Sequence, residues 1–169
     1  METLVSTTLR KKYPSYCFMG EETYQPGDRL TSAPTFICDP IDGTTNFVHQ
    51  YPYVSISLGF AVHREPVVGI VYNPFTQTLY SAIKGQGAYL NQTTRLPLRA
   101  AGALESLNSC LVAVEWGSDR SGNDFKVKSE TFKRLAATKE QGGGMVHGLR
   151  SFGSAALNLC GVASGGLDM

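Results

Sequence analysis

Asp39 and Asp42 are the residues in this chain whose types and spacing most directly suggest chemistry. They stand three positions apart in Cys38-Asp-Pro-Ile-Asp-Gly-Thr-Thr-Asn-Phe47, divided by a proline and followed by a glycine and two hydroxyls. In a turn, that spacing puts both side chains on one side with β-carbons about 5–6 Å apart. Carboxylates that close repel unless a cation or a shared proton lies between them. Magnesium suits such a pair, because it takes oxygen ligands and binds one or two carboxylates together with water and a substrate phosphate. The Ile41 carbonyl offers another oxygen. Gly43 would let the backbone approach a phosphate, and N–H groups at a helix start point at anions. The Thr44 hydroxyl would orient a metal-bound water, whose pKa the ion lowers. By its letters alone the stretch is also an Asx-capped turn. It is not the D-x-D-x-[TV] pattern of aspartyl-phosphate phosphatases, so Asp39 need not be a nucleophile.

The chain that must position these residues has 169 of them, 42% hydrophobic and 17% charged, a globular balance for about one domain. A net charge of +1 gives no long-range field, which argues against nucleic acid or an acidic membrane as partner. The four cysteines are scattered, with no Cys-x-x-Cys pair, so neither a zinc site nor a disulfide framework is expected. Cys38, Cys110 and Cys160 have apolar neighbours and read as free buried thiols. The first residues lack the apolar core of a signal peptide, and no run approaches the roughly 18 apolar residues of a membrane span. A soluble, cytoplasmic protein is the expectation, and Asn91-Gln-Thr93 reads as a chance glycosylation match.

Leu4, Val5 and Leu9 predict a helix over 2–12 that stops at Pro14. Thr35–Cys38 predicts a short buried strand delivering the chain to Asp39. Strands follow at 54–62, 67–72 and 78–83, with turns at Glu65-Pro66 and Asn73-Pro74 and a hairpin-like corner at 84–91. An antiparallel sheet results. After a linker-like stretch over 99–109 come a strand at 110–116, a helix at 124–138, a returning strand near 141–151, and an apolar helix over 154–163 capped at Gly165-Gly166. The order is α+β passing into α/β, with a sheet-rich metal-binding lobe over 1–98 and a partial α/β lobe over 110–169. His49, His63 and His147 lie far apart and read as structural or surface residues; Lys84-Gly-Gln-Gly87 reads as a hairpin corner and Glu22 as solvated.

Gly20-Glu-Glu-Thr23, the long stretch from Asp39 to Phe60, and Gly153 to Asp168 occur in that order. Together with "VGIVYNP" and "KGQGAYLN" they closely resemble the inositol monophosphatase family of magnesium-dependent phosphatases, over nearly the whole chain. The resemblance implies a layered αβαβα sandwich of the inositol monophosphatase and fructose-bisphosphatase type, incomplete here. It implies that Glu21 ligates a first Mg2+ and holds the attacking water, that Asp39 bridges two ions, that Ile41 gives its carbonyl to the first, and that Asp42 binds the second. Gly43 and Thr44 would contact the phosphate of a small phosphomonoester, and Gly153, Ser154 and Ala155 the ring hydroxyls. Homodimers, lithium inhibition and a part in inositol-phosphate signalling go with the resemblance.

The family's third acidic metal ligand lies in a Trp-Asp motif beyond Met169, and its first helical segment precedes Met1. The chain therefore reads as truncated at both ends, with the first metal's protein ligands present and the second site one carboxylate short. Hydrolysis of myo-inositol monophosphate is the expected activity, weak or absent in this chain itself. The alternatives are an inactive family fragment, or a phosphatase for another sugar phosphate or a nucleotide bisphosphate, or a relative serving the quinate pathway.

Overall fold

The computed structural model describes residues 1–99, 102 and 104–169. The chain divides into two units, Met1–Leu96 with Ser154–Cys160, and Pro97–Gly153 with Gly161–Met169. The first unit includes the start of the last helix, whose first N–H groups donate to Asp42.

In the first unit, α1 (Glu2–Lys12) carries an acid in its first turn and Arg10, Lys11 and Lys12 in its last, matching the helix dipole. It ends where the Tyr13 N–H closes on the Leu9 carbonyl ahead of Pro14. A seven-stranded sheet follows in sequential order: β1 (Cys17–Gly20), β2 (Thr35–Asp42), β3 (Ser55–Val62), β4 (Glu65–Asn73), β5 (Thr78–Ile83), β6 (Gly87–Leu90) and β7 (Thr94–Arg95). All neighbours are antiparallel except β1 and β2, which run parallel with Gly20 opposite Cys38. On one face Phe36 and Phe60 pack with ring centroids 4.8 Å apart, and Tyr13 and Tyr16 cover them from the end of α1. Cys38, Val54, Ala61 and Leu157 are buried.

Several expectations need correction. The segment 17–20, unassigned from sequence, is the parallel edge strand β1. Asp39 and Asp42 lie within β2 rather than in a turn after it. The turn expected at Glu65-Pro66 falls at His63 and Arg64, both at positive φ, because Glu65 and Pro66 already pair with Val62 and Ala61.

The second unit has a β-α-β run. β8 (Leu111–Ala113) and β9 (Gly148–Arg150) pair in parallel around α3 (Gly122–Ala136), whose Phe125 and Phe132 stack on Trp116. The strand expected over 110–116 is shortened to Leu111–Ala113, which pair with Gly148–Arg150, and beyond it the Val114 N–H still donates to the Arg150 carbonyl at 2.8 Å. α4 (Ala155–Ser164) starts in the first unit and ends in the second, where Gly165 takes the expected left-handed conformation at φ 79° and the Gly166 N–H caps the Gly161 carbonyl. Asp168 accepts from the Leu111 N–H and from Arg99. The linker expected over 99–109 includes residues 100, 101 and 103, which lie outside the described ones. No helix among the described residues is long and apolar enough to cross a membrane.

Candidate metal and phosphate site

Parallel pairing of β1 with β2 decides where the first acids stand. Gly20 faces Cys38, so Glu21, the first residue past β1, comes level with Asp39, the next residue of β2. The Glu21 N–H fixes this by donating to the Cys38 carbonyl at 2.9 Å. Antiparallel strands would have sent the two acids to opposite ends of the sheet.

A bulge brings in Asp42. Between Asp39 and Asp42 the register slips against Ser57 and Ser55, so β2 carries one residue more than β3 over that interval. Buried Pro40 sits in the slip, where its missing N–H costs no ladder bond. In a regular strand, residues three apart point to opposite faces. The extra residue changes that phase, and the charge of Asp42 reaches Asp39. Gly43 then turns the chain at φ 90°, a left-handed conformation suited to glycine, into the short helix α2 (Thr44–Val48).

Asp39 is pushed up to about 6, first by burial, then by the Glu21 charge, with a smaller push from Asp42. The Ile41 N–H donates to its Oδ1 at 3.1 Å, the expected Asx turn, and pulls the other way. The side chain of Glu21 adds to the upward push, and two carboxylates in that relation are relieved by a cation between them. The exposed Thr44 hydroxyl donates to the Ile41 carbonyl at 3.1 Å.

Asp42 has a second occupation that its spacing did not reveal. Its Oδ1 accepts from the Ala155 N–H at 3.2 Å, and its Oδ2 accepts from the Ala156 N–H at 2.8 Å and from the Ser154 hydroxyl. The Ser55 hydroxyl adds a longer bond to Oδ2, 3.4 Å. Four donors thus meet a carboxylate with about four lone-pair sites. The Ser154 hydroxyl, buried, in turn accepts from the Leu157 N–H at 3.3 Å. Asp42 is therefore the anion at the start of α4. Gly153 belongs to the other unit, at φ 83°, with its N–H on Glu115 Oε1 at 3.0 Å beside the Phe152 N–H.

Of the sequence-derived residues, Glu21, Asp39, Ile41, Asp42, Gly43 and Thr44 come from one sheet end, and Ser154 and Ala155 meet them through Asp42. Among the described residues, no three His, Cys, Asp or Glu side chains cluster closely enough to hold an ion by themselves. The donor types still fit a hard divalent cation: two carboxylates, Glu21 and Asp39, with a carbonyl beside them, leaving water and phosphate to complete the shell. Glu2 and Glu115 were not singled out in the sequence, although each carboxylate holds a loop next to these residues. Gly20 was the available signal for Glu2, since a Cβ there would fall 2.1 Å from the Glu2 carboxyl carbon.

A model of the inositol monophosphatase family matches residues 1–169. Inositol monophosphatase 2 of Saccharomyces cerevisiae is 47% identical over 99% of this chain and 57% of its own length. Protein qutG of Emericella nidulans is 38% identical over 100% of this chain and 56% of its own. The crystal structure of inositol monophosphatase-II from Staphylococcus aureus superposes with a TM-score of 0.78 at 29% identity, covering 98% of this chain and 57% of that one. A structure of SaIMPase-II with inositol monophosphate bound matches with a TM-score of 0.79. The chain spans about 57% of the length of the curated inositol monophosphatase it matches at 47% identity.

Proposed function

This chain belongs to the inositol monophosphatase family and has its fold, and we propose that it furnishes the cation- and phosphate-binding half of a magnesium-dependent phosphatase for myo-inositol monophosphate. One observation carries this reading: parallel pairing of Gly20 with Cys38, and the Glu21 N–H on the Cys38 carbonyl, set Glu21 level with Asp39, whose carboxyl is pushed up to about 6 by burial and the Glu21 charge.

In the proposed site Glu21, Asp39 and the Ile41 carbonyl would hold Mg2+. Bound there, the ion would neutralise the acid pair, screen phosphate charge and lower the pKa of a coordinated water. Glu21 is the exposed acid of the pair and would accept a proton from the water that attacks phosphorus, while the ester P–O bond breaks and the departing inositol oxygen takes a proton from solvent. Thr44 spends its hydroxyl proton on the Ile41 carbonyl, which leaves its oxygen lone pairs to accept from that same water and aim it. Gly43, lacking a side chain, lets phosphate oxygens reach the backbone. Asp42 would bind a further ion by giving up its long bond from Ser55. Exposed Ala155 would meet a ring hydroxyl, beside Gly153 and Ser154. Homodimer formation and lithium inhibition belong to the proposal for the whole enzyme.

The ligand in SaIMPase-II and the identity to inositol monophosphatase 2 support the inositol phosphate substrate. The 38% identity to protein qutG keeps a quinate-pathway substrate as the second reading. Calorimetry of inorganic phosphate binding, with and without Mg2+, tests the shared chemistry. Phosphate should bind only with Mg2+ present, and Asp39→Asn should abolish that binding; equal binding without Mg2+ refutes the reading. Phosphate release from inositol 1-phosphate beside other sugar phosphates then separates the substrates.

A further inference from the structure

Glu2 is a carboxylate buried to 3% exposure in the first turn of α1, outside the site described above. Its Oε2 accepts from the Glu22 N–H at 2.8 Å, and its Oε1 accepts from the Thr23 hydroxyl at 2.6 Å. These donors directly follow Glu21. On the other side of Glu21, Gly20 packs so tightly on Glu2 that an added Cβ would meet the carboxyl oxygens at 2.2 and 2.4 Å. One buried carboxylate therefore grips the backbone on both sides of Glu21.

Burying a carboxylate against neutral donors is costly compared with burying a leucine, so helix anchoring alone is a poor reason for an acid here. Its two oxygens do what an apolar side chain could not: they fix the direction in which the chain leaves β1. We infer that Glu2 is a positioning residue, holding the turn after β1 so that the Glu21 carboxylate stands beside Asp39 for a divalent cation. The inference rests on the proposed cation site and adds to it a support from α1.

The test is Mn2+ binding to the 169-residue chain, read as free Mn2+ by electron paramagnetic resonance well below the melting temperature. Glu2→Ala should weaken binding by about tenfold or more, the range of lost outer-shell support. Glu2→Gln should bind Mn2+ as wild type does, with less than about twofold change, because its carbonyl can still accept from the Glu22 N–H and its amide can donate to Thr23. An E2A protein that melts lower yet binds Mn2+ as tightly as wild type overturns the inference, leaving Glu2 a fold residue only. Should E2A fail to fold, Thr23→Ala at an exposed position decides: about threefold weaker binding, from one lost bond, supports the inference, and unchanged binding overturns it. Asp39→Asn separates the two claims. If wild type and D39N bind Mn2+ equally, the cation site itself is wrong and the Glu2 inference falls with it; if D39N loses binding and E2A keeps it, only the Glu2 inference fails.

Discussion

The Ser154 hydroxyl donates to the Asp42 carboxylate across 112 positions of sequence, and this contact ties the bulged end of β2 to the start of α4. The two Ala N–H donors beside it make Asp42 the cap of a helix from which it is remote in the chain. Replacing it with alanine strands those donors. Asp42→Ala should cost about 1–2 kcal/mol, as loss of an N-cap does. Asp42→Asn should cost less, since one amide oxygen still accepts. Urea denaturation of the three proteins checks the order.

Asp39 should show the opposite sign. Burial and the Glu21 charge oppose its ionisation, holding it at about 6. A group raised in this way contributes stability that is present below its ordinary value of 3.8 and is lost as pH rises through about 6. At pH 7.5 without metal, Asp39→Asn removes the repulsion and should melt higher than wild type. With added Mg2+ the order should reverse, because only wild type gains from the ion. Differential scanning calorimetry with and without Mg2+ reads both.

In the second unit, Asp168 is held below its ordinary range, first by the Leu111 N–H and then by Arg99. The sign runs the other way from Asp39. A lowered carboxylate gives stability present above its ordinary value and lost as pH falls through the lowered one. Asp168→Asn should therefore lose stability at pH 7 but differ little from wild type near pH 2, and urea midpoints at the two pH values test this.

Among the four thiols, Cys17 is exposed while Cys38, Cys110 and Cys160 are buried. Burial pushes Cys38 and Cys160 up to about 11, with negative neighbours adding to it. A disulfide reagent at pH 8 should label Cys17 quickly and the others at the rate of unfolding. Two fast thiols in the folded protein would contradict that placement.

How much of this was legible in the sequence differs from residue to residue. Local patterns marked α1, β5 and the Gly165 cap, because apolar spacing, proline and glycine act within a few positions. The acids at 21, 39 and 42 could be picked out by type. Their arrangement could not, because it depends on β1 pairing parallel to β2 and on a one-residue bulge at Pro40. Four residues at a sheet edge, Cys-Phe-Met-Gly, give too short a pattern to reveal that pairing. Asp42's hold on α4 and Glu2's grip on Glu22 and Thr23 are long-range hydrogen bonds, and no local spacing encodes them.

The account's central claim is that Glu21 and Asp39 share one divalent cation. Anomalous diffraction from crystals grown with Mn2+ tests it most directly. The account predicts a peak about 2.1 Å from a carboxylate oxygen of each residue, with the Ile41 carbonyl among its neighbours. A peak elsewhere, or no peak between the two carboxylates at neutral pH and saturating Mn2+, would contradict it.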